Sequence, residues 1–256
     1  MLERNKALKN TRRSLNPGAL TAPLPPAMVT VGDLDSANVL TVAWTGILAT
    51  VPPKTYVSVR PSRHSHAILC EKREFVINLP SADMARTVDF VGIYTGAKMD
   101  KFQKCCLTKL PSKVVSPPTI AECPVAIECR VTDILKMGSH DVFLADIVSV
   151  SCKEDIIDAD GKMHFEKANL LAYAHGEYYA LGDRLGRFGF STDKEKKQAA
   201  NLQKPIKKPR GSTSDDASSD TRRPFYEGAK KTKTRQKKVS DKNKGAPHGK
   251  RREGKK

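Results

Sequence analysis

The densest group of chemically capable side chains lies in residues 57–69, VSVRPSRHSHAIL, between an alternating apolar run and a second apolar run. Pro61 restricts the preceding Arg60 to extended backbone, which predicts that a strand ends there. Ser62 is a favourable helix N-cap, so a helix is predicted to begin at Arg63. A strand end and a helix start therefore meet within a few residues.

This junction has the chemistry of an anion site. The amide N–H groups of a first helical turn have no partners within the helix and carry partial positive charge. Arg60 and Arg63 add guanidinium donors, while Ser62 and Ser65 add hydroxyls, a combination that suits a phosphate or a carboxylate. A polar loop with solvated arginines is the alternative interpretation of the same residues.

His64 and His66 belong to the same segment. Two histidines can contribute to a metal site, but metal sites in proteins generally add cysteine or carboxylate ligands, and residues 57–69 supply neither. No metal site is predicted.

A second candidate group lies in residues 92–102, GIYTGAKMDKF. Thr95 and Gly96 begin a tight turn, and Lys101 is long enough to reach a phosphate from a neighbouring element. The alternative places Lys101 in water on a short helix.

Trp44 is the only tryptophan of the chain, and Thr45 and Gly46 follow it at the end of an alternating strand. A lone tryptophan most often belongs to a core. At the mouth of a barrel it can instead wall a planar ligand, while the small residues after it let backbone amides approach.

Strands must position most of these residues. Apolar residues recur with period two, which predicts six strands, at residues 27–31, 38–44, 55–60, 74–79, 125–135 and 141–152. The last two are separated by KMGSH, which predicts a hairpin. Helices are predicted only at residues 63–72, 83–92 and 100–105. Strands without regular helical crossovers favour an antiparallel barrel with rim helices.

Two common nucleotide-binding motifs are missing from the sequence. No GxGxxG motif follows a strand and no GxxxxGK[ST] motif occurs, so neither a dinucleotide fingerprint nor a P-loop is predicted.

Charge divides the chain into a nearly neutral body and a basic tail. Residues 194–256 hold 22 of the 45 Lys and Arg residues and 7 of the 28 Asp and Glu residues, hence most of the formal net charge of +17. This segment has too few apolar residues to offset the entropy of ordering, so it is predicted to be disordered. It either binds nucleic acid or anionic lipid weakly and non-specifically, or only keeps the protein in solution.

The predicted organisation is a flexible N-terminal segment at residues 1–20, a folded body at 21–193 and the tail at 194–256. The first residues lack the apolar core of a secretory signal, and no stretch reaches the roughly 18 apolar residues of a membrane span. Six cysteines without a CxxC pair are expected to be free thiols. These features predict a cytoplasmic protein.

The order of the segments is more specific than any one of them. Their succession resembles the flavin reductase-like, flavoredoxin-type FMN-binding split-barrel family over about residues 20–191, through the segments PLPPAMVTVGD, NVLTVAWTGI, PPKTYVSVRPSRHSHAIL, EFVINLP, VDFVGIYTGAKMDKF, ECPVAIEC, GSHDVFLADI and YAHGEYYALGDRLGRFGFS. The resemblance implies a mainly β Greek-key split barrel with a few rim helices. It also implies a homodimer that holds FMN non-covalently near the subunit interface.

The resemblance further implies cofactor-binding roles for twelve residues. Those expected toward the flavin are Asn38, Trp44 and Thr45. Those expected around the ribityl chain and phosphate are Ser58, Arg60, Ser62, Arg63 and Ser65, with Lys101 at the phosphate. Thr95 stands where many relatives have serine, and His140 and Tyr173 complete the surroundings. No catalytic side chain is assigned, because the flavin carries the redox chemistry.

Three functions are compatible with these features. The first is an NAD(P)H-dependent flavin reductase, in which hydride passes from nicotinamide to flavin and then to an unidentified acceptor. The second is an FMN electron-transfer protein that a protein partner reduces. The third is a nucleic-acid-associated protein that acts through its basic tail.

Overall fold

The computed structural model describes residues 12–192 and shows a mainly β protein. Within these residues the strands are β1 (Ala27–Val31), β2 (Asn38–Val42), β3 (Thr45–Thr50), β4 (Pro53–Val59), β5 (Glu74–Leu79), β6 (Lys109–Leu110), β7 (Thr119–Ile120), β8 (Val125–Met137), β9 (His140–Cys152), β10 (Leu171–Ala174) and β11 (Glu177–Ala180). The α-helices are α1 (His64–Lys72), α2 (Ala85–Ile93) and α3 (Lys101–Lys104).

Seven strands form one antiparallel sheet in the order β2-β1-β5-β8-β9-β4-β3. The outer strands β2 and β3 are consecutive in the chain, and only Ala43 and Trp44 separate them. The sheet therefore curls until its two edges meet, and β2 comes next to β4 at this seam. Strand β4 lies beside β9 and not beside β5, which is a Greek-key arrangement. The predicted mainly β Greek-key barrel is confirmed.

The barrel encloses an apolar core. Phe75 of β5 and Phe143 of β9 are fully buried in it, together with Val29 of β1 and Val57 of β4. A second buried cluster joins the sheet to the helices through Met28, Val88, Val91 and Phe102. This second cluster fixes α2 and α3 against the outside of the barrel, where both helices contact β2.

The strongest periodic segments were predicted well. Strands β1 and β5 have the predicted bounds, and the β8–β9 hairpin turns at Gly138 and Ser139, where Gly138 has a φ of +71°. The strand predicted at 38–44 is shorter, because Ala43 and Trp44 form the corner of the barrel. The predicted cap is wrong: α1 begins at His64 after Arg63 as N-cap, without a side-chain cap bond. Arg63 N donates to the Arg60 carbonyl in a preceding turn, which places Ser62 one residue too early.

Two hairpins were not predicted. Strand β3 was missed because exposed Ile47 and Leu48 obscure its alternation. Strands β10 and β11 flank His175 and Gly176, whose φ values of +48° and +94° suit a two-residue turn of type I′. This hairpin places Tyr173 directly opposite Tyr178.

A buried carboxylate holds the long loop between β6 and β7. Glu128 of β8 is 1% exposed and accepts hydrogen bonds from the backbone N–H groups of Lys113, Val114 and Val115, at 3.0, 2.7 and 3.2 Å. These three donors satisfy a charged group that would otherwise be costly to bury.

Two further predictions concern the ends of the chain. Residues 12–20 are exposed and have no regular secondary structure, whereas residues 1–11 and the tail at 194–256 lie outside the described residues. No helix in the described part of the chain is both long enough and apolar enough to span a membrane.

Candidate functional site

Two clefts meet at the rim of the barrel. The first, called the aromatic cleft here, has a volume of about 360 Å³ and is walled by Trp44, Tyr173 and Tyr178. Trp44 is the corner between β2 and β3, and the two tyrosines come from the β10–β11 hairpin, where their rings are 5.5 Å apart in an edge-to-face arrangement. Flat walls of this kind suit a planar ring.

The second, called the polar cleft, has a volume of about 450 Å³. Its lining includes Arg60 and Arg63 from the segment between β4 and α1, and Lys101 from the start of α3. Arg60 and Arg63 also line the aromatic cleft. The two clefts are therefore one elongated site, with aromatic walls at one end and positive charge at the other.

Lys101 is the most unusual charged group of the site. It is 3% exposed, and its Nζ donates to the carbonyls of Val91 and Tyr94 at 3.0 and 3.1 Å, where α2 ends. No carboxylate pairs with it among residues 12–192. Burial, and then the charge of Arg63, lowers the pKa of Lys101 to about 8. A desolvated ammonium beside a guanidinium, without a counter-charge, favours a bound anion.

Asn38 joins three elements at the polar cleft. Its Nδ2 donates to the Ser65 hydroxyl of α1 at 2.6 Å, so β2 is connected to the start of the helix. On the other side, Gly96 lies so close that a β-carbon there would be 2.0 Å from Asn38 Oδ1. Glycine is therefore needed at position 96, which the sequence indicated only as part of a turn.

His140 begins β9 and lines the aromatic cleft. Its Nδ1 is 2.9 Å from the Ser139 hydroxyl. Burial, and then the charge of Arg60, lowers the pKa of His140, which favours the neutral imidazole at pH 7.

Unlike the residues just before it, His66 lines neither cleft. Its Nε2 is 2.8 Å from Asp141 Oδ2, and its ring contacts Phe143 edge-on. Asp141 is 75 residues away, so the sequence around the histidines could not reveal this carboxylate. The pair joins α1 to β9 and so holds the segment that carries Arg60 and Arg63.

Eleven of the twelve predicted residues line the joined clefts. The aromatic cleft contains Trp44, Ser58, Arg60, Arg63, His140 and Tyr173, and the polar cleft contains Asn38, Arg60, Ser62, Arg63, Ser65, Thr95 and Lys101. Thr45 lines neither cleft. Its buried hydroxyl donates to the Tyr56 carbonyl, because position 45 is the first residue of β3 and faces its partner strand.

Sequence reasoning missed Tyr178 and Asp89. The Tyr178 hydroxyl donates to Asp89 Oδ1 at 3.4 Å, and both residues line the aromatic cleft. Burial, and then the charge of Asp89, raises the pKa of Tyr178 to about 12, so its hydroxyl keeps its proton. The sequence signal that could have revealed Tyr178 was the two-residue turn at His175 and Gly176, which pairs Tyr178 with Tyr173.

Comparison with known proteins identifies the class. The profile of the flavin reductase like domain matches residues 20–182, so the chain belongs to that family. The resemblance inferred from the order of the sequence segments is thereby confirmed.

Individual relatives agree with the family. Flavoredoxin of Desulfovibrio vulgaris (Miyazaki F) is 33% identical, with a TM-score of 0.65 over 70% of this chain and 98% of that chain. An uncharacterized protein of Pyrococcus abyssi is 31% identical over 66% of this chain and 96% of its own length. An FMN-binding protein from Thermus thermophilus is 24% identical, with a TM-score of 0.59 over 69% of this chain and 97% of that chain.

Proposed function

We propose that this protein binds FMN non-covalently in the joined clefts and is an NAD(P)H-dependent flavin reductase. The observation that carries the proposal is the positive charge of Lys101 and Arg63, which no carboxylate of residues 12–192 pairs, at one end of a site whose other end is walled by Trp44 and Tyr173. FMN has the matching distribution, with a phosphate at one end and a planar ring at the other. The Thermus thermophilus protein with the same fold is named for FMN binding, which supports this choice of flavin.

Different residues are proposed to bind different parts of FMN. Arg60, Arg63 and Lys101 donate to the phosphate, and the hydroxyls of Ser62, Ser65 and Thr95 complete the polar cleft. Asn38 lines the polar cleft and Ser58 the aromatic cleft, and we propose that both contact the flavin between its two ends. We propose that Thr45 contacts the flavin only through its backbone, because its side-chain hydroxyl is hydrogen-bonded to β4.

The aromatic cleft orients the ring and limits water around it. Trp44 and Tyr173 supply flat walls, Tyr178 donates to Asp89 at the rim, and neutral His140 offers a polar contact without adding charge. When bound, FMN would supply the hydride and electron chemistry. The cleft is open to solvent, which suits a nicotinamide that approaches without a dinucleotide-binding domain of its own.

The test combines binding with reduction. Purified full-length protein is titrated with FMN and then mixed, without oxygen, with NADH or NADPH while the visible absorbance of the flavin is followed. We expect about one FMN per subunit and bleaching with at least one donor. Replacing Arg60 and Lys101 together with alanine should weaken FMN binding at least about tenfold, since charge-assisted hydrogen bonds contribute roughly 1.5–3 kcal/mol each. The matched control replaces Arg86 and Lys98, which are exposed and line neither cleft. Unchanged FMN affinity in the Arg60 and Lys101 variant would refute the binding site, and absence of bleaching with both donors would refute the reductase.

The likeness to flavoredoxin favours a second candidate, an FMN electron-transfer protein that a protein partner reduces. The same binding site serves both functions. Slow reduction by either nicotinamide, together with fast reduction by a ferredoxin-like donor, would select the electron carrier.

We also propose a homodimer. Edge strand β3 and the turn after it carry exposed apolar residues, among them Ile47 at 64% and Val51 at 92% exposure. A second copy that covers them would bury this apolar surface. Light scattering of the full chain, with and without FMN, distinguishes a dimer from a monomer.

Two proposals concern the rest of the chain. All six cysteines are free, which supports a cytoplasmic location. The basic tail at 194–256 is proposed to bind nucleic acid weakly at most. Removing it should abolish any salt-sensitive binding of nucleic acid while FMN binding persists, and loss of FMN binding would contradict the proposed domain boundary.

A further inference from the structure

A third cleft adjoins the aromatic cleft and shares two of its lining residues. This outer cleft has a volume of about 290 Å³ and is lined by Ala19, Thr21, Leu24, Trp44, Tyr173, His175 and Gly176. Trp44 and Tyr173 line both the outer and the aromatic cleft. A molecule in the outer cleft would therefore contact the same two rings that wall the proposed flavin position.

Backbone hydrogen bonds build the outer cleft. Leu24 N donates to the Tyr173 carbonyl at 2.9 Å, and Tyr173 N donates to the Leu24 carbonyl at 2.8 Å. These bonds form a β-bridge that holds the segment before β1 alongside β10. On the other side, the two-residue turn fixes His175 at the rim, since both of its residues have positive φ. The walls of the cleft are thus defined by main-chain structure on both sides.

The lining determines which ligand fits. Trp44, Tyr173 and Leu24 offer aromatic and aliphatic contacts, while the described lining contains no Lys, Arg, Asp or Glu. The Thr21 hydroxyl and the His175 ring have no hydrogen-bond partner among the residues described, so both are available at the rim. The volume is at the lower end for small-molecule sites, which selects a molecule of about one ring. The absence of charge disfavours a phosphate-bearing ligand such as a second nucleotide.

We propose that the outer cleft binds a small, neutral, planar aromatic molecule that carries a hydrogen-bond acceptor, with its ring against Trp44 and Tyr173 and its acceptor atom toward Thr21 or His175. The role of such a ligand as the small-molecule partner of a bound flavin rests on the proposed function. Its binding to the outer cleft does not depend on the proposed function.

The probe is 4′-fluoroacetophenone, observed by ¹⁹F NMR as it is titrated with the full-length protein, first without FMN and then with saturating FMN. We expect line broadening with a dissociation constant on the order of 1 mM, as befits a fragment of this size. Binding should persist when FMN fills the aromatic cleft, because Thr21, Leu24 and His175 line the outer cleft and not the aromatic cleft.

Two variants locate the binding. Thr21→Phe fills the outer cleft, and His175→Asn removes the imidazole at a positive φ that asparagine tolerates. Each should raise the dissociation constant of the probe at least about fivefold. Thr108→Phe makes the same exchange at an exposed threonine outside all three clefts and should leave it unchanged. All three variants should keep the wild-type affinity for FMN, which also shows that they are folded.

The outcomes separate the two proposals. Probe binding that FMN abolishes, or that Thr21→Phe leaves unaltered, overturns the outer site. Failure of the protein to bind FMN, together with probe binding that depends on Thr21, would refute the proposed function and leave the outer cleft assigned.

Discussion

Gly96 and Asn38 are in such close contact that a β-carbon at position 96 would lie 2.0 Å from Asn38 Oδ1 and 2.6 Å from its Cγ. Asn38 is 8% exposed and also donates to Ser65. It cannot retreat from a new side chain at position 96 without breaking that hydrogen bond. The turn after α2 and the start of α1 are thus coupled through one asparagine.

Gly96→Ala should therefore disturb the polar cleft. We expect the free energy of unfolding to fall by about 1–3 kcal/mol, as for other overpacked sites, and FMN affinity to fall about tenfold as Asn38 moves away from Ser65. Urea unfolding and a flavin titration measure the two effects. The control is Gly182→Ala, where an added β-carbon meets nothing within 4 Å. An FMN affinity equal in the two variants would contradict the role given to Asn38.

Binding of FMN should depend on pH through Lys101. The pKa of Lys101 is lowered to about 8, so the side chain is charged at pH 7 and loses its proton as the pH rises past 8. The phosphate stays doubly charged over this range, since its second pKa is about 6. We expect affinity to fall between pH 7 and 9, with net proton uptake on binding near pH 8.

The variant Lys101→Met tests that assignment. It should bind FMN at least about tenfold more weakly at pH 7, and its affinity should change little between pH 7 and 9. Lys98→Met, at an exposed lysine in the same loop, should retain the wild-type pH dependence. Calorimetry in buffers of different ionisation enthalpy measures the proton uptake, and an unchanged pH profile in Lys101→Met would assign the titration to another group.

A histidine between two carboxylates should make stability depend on pH. In the loop between β9 and β10, His164 Nε2 is 2.7 Å from Asp158 and Nδ1 is 2.9 Å from Glu166. Hydrogen bonds to these carboxylates raise the pKa of His164, and hydrogen bonds from His164 lower the pKa of both carboxyl groups. The contribution of the charged cluster is therefore complete between the ordinary pKa values of 4.5 for Glu166 and 6.5 for His164.

The variant His164→Gln removes this contribution. The melting temperature of the wild type should exceed that of the variant most within this pH window. The difference should shrink as the pH rises through the raised pKa of His164, and again as the pH falls through the lowered pKa values of the carboxyl groups. A constant difference from pH 4 to pH 9 would show that the histidine contributes by packing alone.

Glu128 should be critical for stability. Glu128→Gln replaces one carboxylate oxygen by an NH₂ group that faces backbone N–H donors, so at least one hydrogen bond is lost. We expect the free energy of unfolding to fall by about 1–3 kcal/mol, as for other buried polar groups left without partners. Urea unfolding measures this change, and Glu71→Gln, at an exposed site, is the control. Equal stability of the two variants would mean that the loop adapts around position 128.

Local sequence patterns were sufficient to predict much of the barrel and of the site. Strands β1 and β5 are alternating or continuous apolar segments between turn residues, so their bounds could be predicted from the sequence. Arg60, Arg63 and Ser65 were found because three kinds of anion donor occur within six residues. Family resemblance added the distant members, such as His140 and Tyr173.

Other features depend on contacts that no local pattern contains. The burial of Lys101 arises from its packing under the end of α2, and the pairing of His66 with Asp141 joins residues far apart in the chain. The Ser62 cap was wrong because a turn at Arg60 shifted the helix start by one residue. Tyr178, by contrast, could have been found from the turn at His175 and Gly176, which places it opposite Tyr173.

The two-residue connection between β2 and β3 has a thermodynamic consequence. Trp44 is both half of that connection and a wall shared by two clefts, so parting of the two edge strands would dismantle the ring-binding surface. Any molecule that binds only the closed form must then oppose the parting, by RT ln(1 + [L]/Kd) for a ligand L. Amide hydrogen exchange in β2 and β3 should therefore slow in proportion to ligand occupancy, so that these two strands report the loading of the site.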